Sequence, residues 1–368
     1  MTTKKQKSNS ESHERKGVKR FESTTKGSSM IEFISKSETI FLTSLLFVIR
    51  LAAATWGIIN DCDEVYNYWE PLHLFLHGEG FQTWEYSPIY AIRSYFYIYL
   101  HYVPAVIFTH MGLSKITVFT LVRVALGIFC LSGELYAYRA ISKNINNTTA
   151  RLFIFFTMFS SGVFQASSAF VPSSFCMAFV FYILGAYLNE NWSFGIFCVA
   201  FSTLVGWPFS AILGLAIIIR MVFVKRHILA FIKISFLSGL CIGLTQLIVD
   251  SYHFGKPVIA PMNIVLYNVL SGPGPSLYGE EPISFYIKNL IVNWNVAIIA
   301  SGIGFILSLW PSIGRKNQKG VTEYVSPIVW ITATTGLWLL IFWKTTTQRR
   351  TIFIPNISIY CIFHCTYL

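Results

Sequence analysis

Apolar runs of about 20 residues recur along most of this chain, more than any soluble fold can bury. Only 12% of the residues are charged against 54% hydrophobic. Ordinary soluble domains carry about 25% charged residues. The expected class is an all-α polytopic membrane protein. Nine spans are read, near 40–59, 91–110, 116–138, 151–169, 174–189, 193–219, 228–249, 288–309 and 327–343. The first apolar run starts too far in for a cleavable signal peptide and reads as a retained signal anchor.

The net charge of +11 does not read as a nucleic-acid signal. Much of it lies in residues 1–37, a Ser-, Lys- and Glu-rich stretch expected to be a disordered cytosolic tail. More sits in short loops, at Lys225-Arg226 and Arg315-Lys316. With the basic tail in the cytosol, alternation puts loops 60–90 and 250–287 on the opposite side. The sequons at Asn146, Asn147 and Asn191 then also fall on that side. Arg139, Lys143 and Arg151 dissent, because alternation assigns their basic loop to the lumen. The seven cysteines show neither metal nor disulfide spacing.

Loop 60–90 carries the chemistry. It reads Asp61-Cys-Asp63-Glu64-Val-Tyr66-Asn67-Tyr-Trp69-Glu70-Pro71, then Phe81-Gln-Thr-Trp84-Glu85-Tyr86-Ser87-Pro88, with Arg93 just beyond. Carboxylates crowded beside a membrane are costly unless they meet water, a partner or a substrate. Asp63 or Glu64 could take a proton from a substrate hydroxyl. Neighbours on a helix point about 100° apart, so one of the two does the chemistry and the other positions. Trp69, Trp84 and Tyr86 suit sugar stacking, or the blander role of an interfacial belt. Glu70, His73 and His77 share a helical face and could hold a metal, but plain hydrogen bonding is the commoner use, and no metal or cofactor is assigned. Loop 250–287 offers His253 and Lys256, cations that suit a phosphate-bearing substrate. Gly206-Trp207-Pro208 inside the run 193–219 predicts a kinked helix.

Several long strings carry a resemblance: Asp61-Cys-Asp-Glu-Val-Tyr-Asn-Tyr-Trp-Glu-Pro, Gly78-Glu-Gly-Phe-Gln-Thr-Trp-Glu-Tyr-Ser-Pro, Val171-Pro-Ser-Ser-Phe-Cys-Met, Gly206-Trp-Pro-Phe-Ser-Ala and Val258-Ile-Ala-Pro-Met-Asn-Ile-Val-Leu-Tyr-Asn-Val. They resemble glycosyltransferase family 22, the dolichyl-phosphate-mannose-dependent α-1,2-mannosyltransferases of asparagine-linked glycosylation. The similarity covers about residues 38–345 and implies a GT-C membrane domain with luminal loops. It implies an endoplasmic-reticulum enzyme, active on the luminal side. Its donor would be dolichyl-phosphate-mannose and its acceptor a dolichyl-pyrophosphate-linked oligosaccharide, with inversion and without a metal. By motif position Asp63 is the general base and Glu64 the second candidate. Trp69, Glu70, Trp84, Tyr86, Arg93, His253 and Lys256 are candidates for substrate contact. Two alternatives stand beside it: a dolichyl-phosphate-mannose transferase acting on glycolipid anchors, and a membrane transporter without chemistry.

The chain departs from the family near residue 346. The family motif His-Lys-Glu-Glu-Arg-Phe-Leu-Phe-Pro is replaced by Thr346-Thr347-Gln348-Arg349-Arg350-Thr351-Ile-Phe-Ile354-Pro. Codons for residues 346–357 exist whose one-base shift restores the motif. Residues 346–368 therefore read as a frame-shifted tail, and the chain as written is expected to be poorly active.

Overall fold

The computed structural model describes residues 37–270, 282–294, 303, 334, 336 and 337. Two compact units are distinguished, Met1–Val48 and Ile49–Leu368. Among the described residues the chain is helical, with no strand. The tail 1–36, the expected spans 288–309 and 327–343 for the most part, and residues 346–368, read above as a frame-shifted tail, lie outside the described residues.

Among the described residues three helices are long and apolar enough to cross a membrane: Ser37–Trp56, Lys115–Asn144 and Ile228–Phe254. Pro172–Leu188, Trp192–Gly206 and Pro208–Val224 are apolar but shorter. Local sequence starts several of them. Ser114 caps Lys115–Asn144 by accepting from the Thr117 amide, and Asn146 does the same for Asn147–Phe159 through Thr149. Pro172 opens Pro172–Leu188 in the first turn, where its missing N–H costs nothing.

Side-chain contacts fix which helix ends lie together. At one end Asn144 donates to Asn189 at 2.9 Å. There too Arg220 and Lys225 pair with Glu190 at 2.6 and 3.5 Å. At the other end the Phe170 amide donates to Glu64, Ser94 donates to Asp250, and Lys115 Nζ lies 3.3 Å from His73 Nε2.

Two of the expected spans are corrected by these contacts. The run 91–110 folds as the helix Tyr95–His110. It starts beside Asp250, and Lys115 follows a four-residue turn later, beside His73. Both ends therefore sit at the acidic-loop end, and this helix does not traverse the bundle. The run 193–219 is two antiparallel helices and not one kinked span, because Glu190 before it and Arg220 after it form an ion pair. Among the described residues the two changes offset each other in the alternation and keep loops 60–90 and 250–270 together. They do not cancel for loop 139–151. It joins Arg220, Lys225 and Arg226 at the basic end, which removes the dissent of Arg139, Lys143 and Arg151 and carries the sequons Asn146, Asn147 and Asn191 with it.

The break between the two helices is built from satisfied backbone. Trp207 is extended, with φ −132° and ψ 120°. Its amide donates to the Cys176 sulfur at 3.1 Å, and Ser202 and Ser210 hydroxyls bond at 2.9 Å. Irregular backbone among apolar helices persists only where such partners exist. Gly206 is required here, since a Cβ on it would lie 2.5 Å from that sulfur.

Deeper in the bundle, Arg50 donates to both Glu134 carboxylate oxygens, at 3.0 and 2.5 Å, and to the Thr157 carbonyl at 3.1 Å. Both side chains are essentially fully buried. Removing one partner strands the other charge, so Glu134→Ala is expected to cost about 3–5 kcal/mol. The unfolding midpoint in detergent reads it, and an unchanged midpoint would show the pair to be inert.

Candidate active site

The acidic loop is folded, not splayed. Asp61 caps the turn Cys62–Glu64 by accepting from the Asp63 amide at 2.9 Å. A π-helical stretch, Val65–Trp69, leads into the helix Glu70–His77, which Gly78 ends in the left-handed region at φ 75°. The π turn brings Asp63 and Tyr68, five residues apart, to the same arginine. Burial pushes the Asp61 carboxyl above its usual value, against the pull of the Asp63 N–H.

The adjacent carboxylates diverge. Glu64 is buried, and its Oε1 accepts from the Trp69 indole and from the Phe170 amide, each at 3.0 Å. Burial raises its pKa, and those two donors pull it partly back. Asp63 faces outward, with its side chain 43% exposed and Oδ2 3.4 Å from Arg93 Nη2. Arg93 is spent on neighbours. Its Nε donates to Glu85 at 2.5 Å and its Nη1 to the Tyr68 hydroxyl at 2.6 Å. A cleft beside Arg93 is lined by Tyr68, Ser94, Trp207, Gln246 and Pro261, so the helix break faces the acidic loop.

The other expected residues separate by role. Trp69 packs against Phe119 and Phe170 and does not face the cleft. Glu70 accepts from the Phe81 amide at 3.2 Å, closing the loop on itself. Tyr86 is buried and donates to the Asn67 carbonyl at 2.7 Å. His253 stacks on Tyr95 at 4.5 Å and lies 3.0 Å from the Tyr99 hydroxyl, a packing position. Trp84 is exposed and meets Tyr90 and Tyr267. Lys256 is exposed and lines a hollow of about 530 Å³ with Tyr90, Asn263 and Tyr267. His73 and His77 line a separate hollow of about 300 Å³ with Lys115. The Lys115 ammonium beside His73 Nε2 opposes a cation there. Asp61, Cys62 and Asp63 bring potential ligand atoms within 4.8 Å of one another, an arrangement exposed acidic turns adopt without an ion.

Sequence reasoning missed Asp250 as a site residue. It is fully buried, accepts from Ser94 Oγ and from the Phe96 amide at 3.1 Å, and so caps Tyr95–His110 from another helix. That contact anchors the segment carrying Arg93. Asn263 does the same for Ala91, donating to its carbonyl at 3.1 Å. The one available signal was an acid at the end of an apolar run, which is costly without a partner.

The family model described as the Alg9-like mannosyltransferase family matches residues 41–346. The alpha-1,2-mannosyltransferase algn-9 of Caenorhabditis elegans is 64% identical over 303 residues, 81% of this chain and 50% of that protein. The alpha-1,2-mannosyltransferase ALG9 of Homo sapiens is 38% identical over 315 residues, 85% of this chain and 51% of that protein. The chain thus spans about half the length of the curated relatives it matches. Among solved structures, ArnT from Cupriavidus metallidurans bound to undecaprenyl phosphate aligns with a TM-score of 0.60 at 11% identity. That alignment covers 89% of this chain and 59% of that one, and it shows a shared fold.

Proposed function

From the premise that this chain belongs to the Alg9-like mannosyltransferase family, we propose that it transfers mannose from dolichyl-phosphate-mannose to a lipid-linked oligosaccharide in α-1,2 linkage. The observation that carries the reading is the divergence of Asp63 and Glu64. One carboxylate is presented outward beside a fixed arginine, and its neighbour is buried in the scaffold. Asp63 takes the proton of the acceptor hydroxyl as that oxygen bonds to the anomeric carbon. The bond from that carbon to the phosphate oxygen breaks on the opposite face, with inversion, and the lipid phosphate leaves with the electron pair. The undecaprenyl phosphate held by the fold neighbour supports a lipid-phosphate-linked donor. Arg93 orients Asp63, since Nε, Nη1 and Nη2 are all engaged.

Transfer into membranes of a host lacking this activity, with defined lipid-linked acceptors, tests the proposal. The family match covers residues 41–346, and the proposed change of frame falls near residue 346. The assay is therefore set on the protein with that frame restored, and sequencing the transcript checks the shift.

We place the basic end in the cytosol and loop 60–90 in the lumen of the endoplasmic reticulum. Arg139, Lys143, Arg151, Arg220, Lys225 and Arg226 then all obey the positive-inside bias. The sequons at Asn146, Asn147 and Asn191 are expected to stay unmodified. Endoglycosidase digestion should cause no mobility shift that depends on these asparagines. A shift abolished by Asn191→Gln would reverse the placement.

A further inference from the structure

We propose that the hollow formed by Tyr90, Tyr267, Asn263 and Lys256, with Trp84 at its rim, is a subsite for the mannose oligosaccharide of the acceptor. The proposal rests on the mannosyltransferase reading and adds to it where the acceptor's sugars sit. Three rings converge there. Trp84 and Tyr90 lie 4.8 Å apart at 78°, Trp84 and Tyr267 5.8 Å apart, and Tyr90 and Tyr267 6.3 Å apart at 90°. Edge-to-face packing of this kind fixes each ring against the next. Trp84 and Tyr90 are nonetheless 42% and 44% exposed. A fixed, water-facing aromatic patch marks a surface that something covers.

The chemistry of the lining favours a neutral saccharide. A hexose offers an apolar C–H face for an aromatic ring and a rim of hydroxyls for polar neighbours. The hollow answers both, with two tyrosines for the faces and Asn263 and Lys256 for the hydroxyls. The Asn263 amide nitrogen is spent on the Ala91 carbonyl, which fixes the amide and leaves its oxygen as an acceptor. Among the described residues Lys256 is the one charged group in the lining, too little for a pyrophosphate but enough to bond hydroxyls. The hollow is open and of about 530 Å³, a surface on which a sugar can lie flat.

The hollow also lies beside the segment that carries Arg93. Trp84 precedes Glu85, whose carboxylate holds Arg93 Nε. Ile92, in the lining, precedes Arg93 itself. The subsite is thus joined at two points of the chain to the arginine that holds Asp63. Ile92 lines both this hollow and the cleft beside Arg93, so the two are neighbours.

Titration of the purified full chain in detergent with a free mannose oligosaccharide, carrying neither lipid nor pyrophosphate, tests the subsite. Tyr90→Leu and Tyr267→Leu are each expected to weaken binding about tenfold, the scale of one lost ring contact. Tyr90→Phe should keep most of the affinity, and the unfolding midpoints should stay within error of the parent. Absence of binding by the parent chain, or unchanged affinity in both Leu variants, would overturn the proposal. No transfer is needed for this titration, so failure of the catalytic reading is seen separately, as transfer that survives Asp63→Asn.

Discussion

Asp63→Asn is expected to lower the transfer rate by about 10²–10⁴-fold while leaving the fold and donor affinity intact. The amide keeps the shape of the carboxylate and a contact to Arg93 but cannot accept the proton. The control is Glu64→Ala, whose damage should be of another kind. It leaves the Trp69 indole and the Phe170 amide without their acceptor, at about 1–3 kcal/mol for each buried donor. The unfolding midpoint should fall, and Glu64→Gln, which keeps an acceptor oxygen, should restore most of it. Single-turnover rates beside thermal melts separate the two residues. If Glu64→Gln stops transfer in a stable protein, or Asp63→Asn turns over at the parental rate, the assignment is wrong.

Arg93→Met carries the second large effect. It releases Asp63, Glu85 and Tyr68 together. Stranding partly buried carboxylates costs about 3–5 kcal/mol, and the 17% exposure of Arg93 puts the loss at the low end. A base swung out of line costs a further factor of about 100 in rate. Arg93→Lys restores the charge but not the fork that reaches three oxygens at once, so it should recover little of the rate. Full recovery by lysine would mean that Arg93 acts as a bare charge and does not aim Asp63.

Much of this arrangement was legible in the sequence, and the part that was not has physical causes. Long apolar runs declare helices, and the density of acids at residues 61–85 declares a site. Hydropathy has no measure of direction, so it cannot see that Trp207 turns one apolar run into two antiparallel helices. Nor can it see that Tyr95–His110, as apolar as a span, lies across one end. The pairing of Glu190 with Arg220 decides the first, and it links residues whose sequence environments are unremarkable. The basic residues of loop 139–151 did signal the error, and weighting them above the sequons would have exposed it. At the site, sequence narrowed the base to two adjacent acids. Only the fold shows that the Phe170 amide, 106 residues away, turns Glu64 inward. Asp250 escaped notice for the same reason, because its partners Ser94 and Phe96 come from another helix.

The sulfur that receives the Trp207 amide makes the cleft observable in time. Cys176 is wholly buried, whereas Cys62 and Cys241 are exposed. A thiol reagent should consume Cys62, in the acidic loop, at once and reach Cys176 only when the Trp207 segment lifts away from it. With Cys130, Cys198, Cys241, Cys361 and Cys365 replaced, the slow phase of labelling would then count openings of the cleft directly. A ligand that holds the cleft shut would lengthen that phase without touching the cysteine.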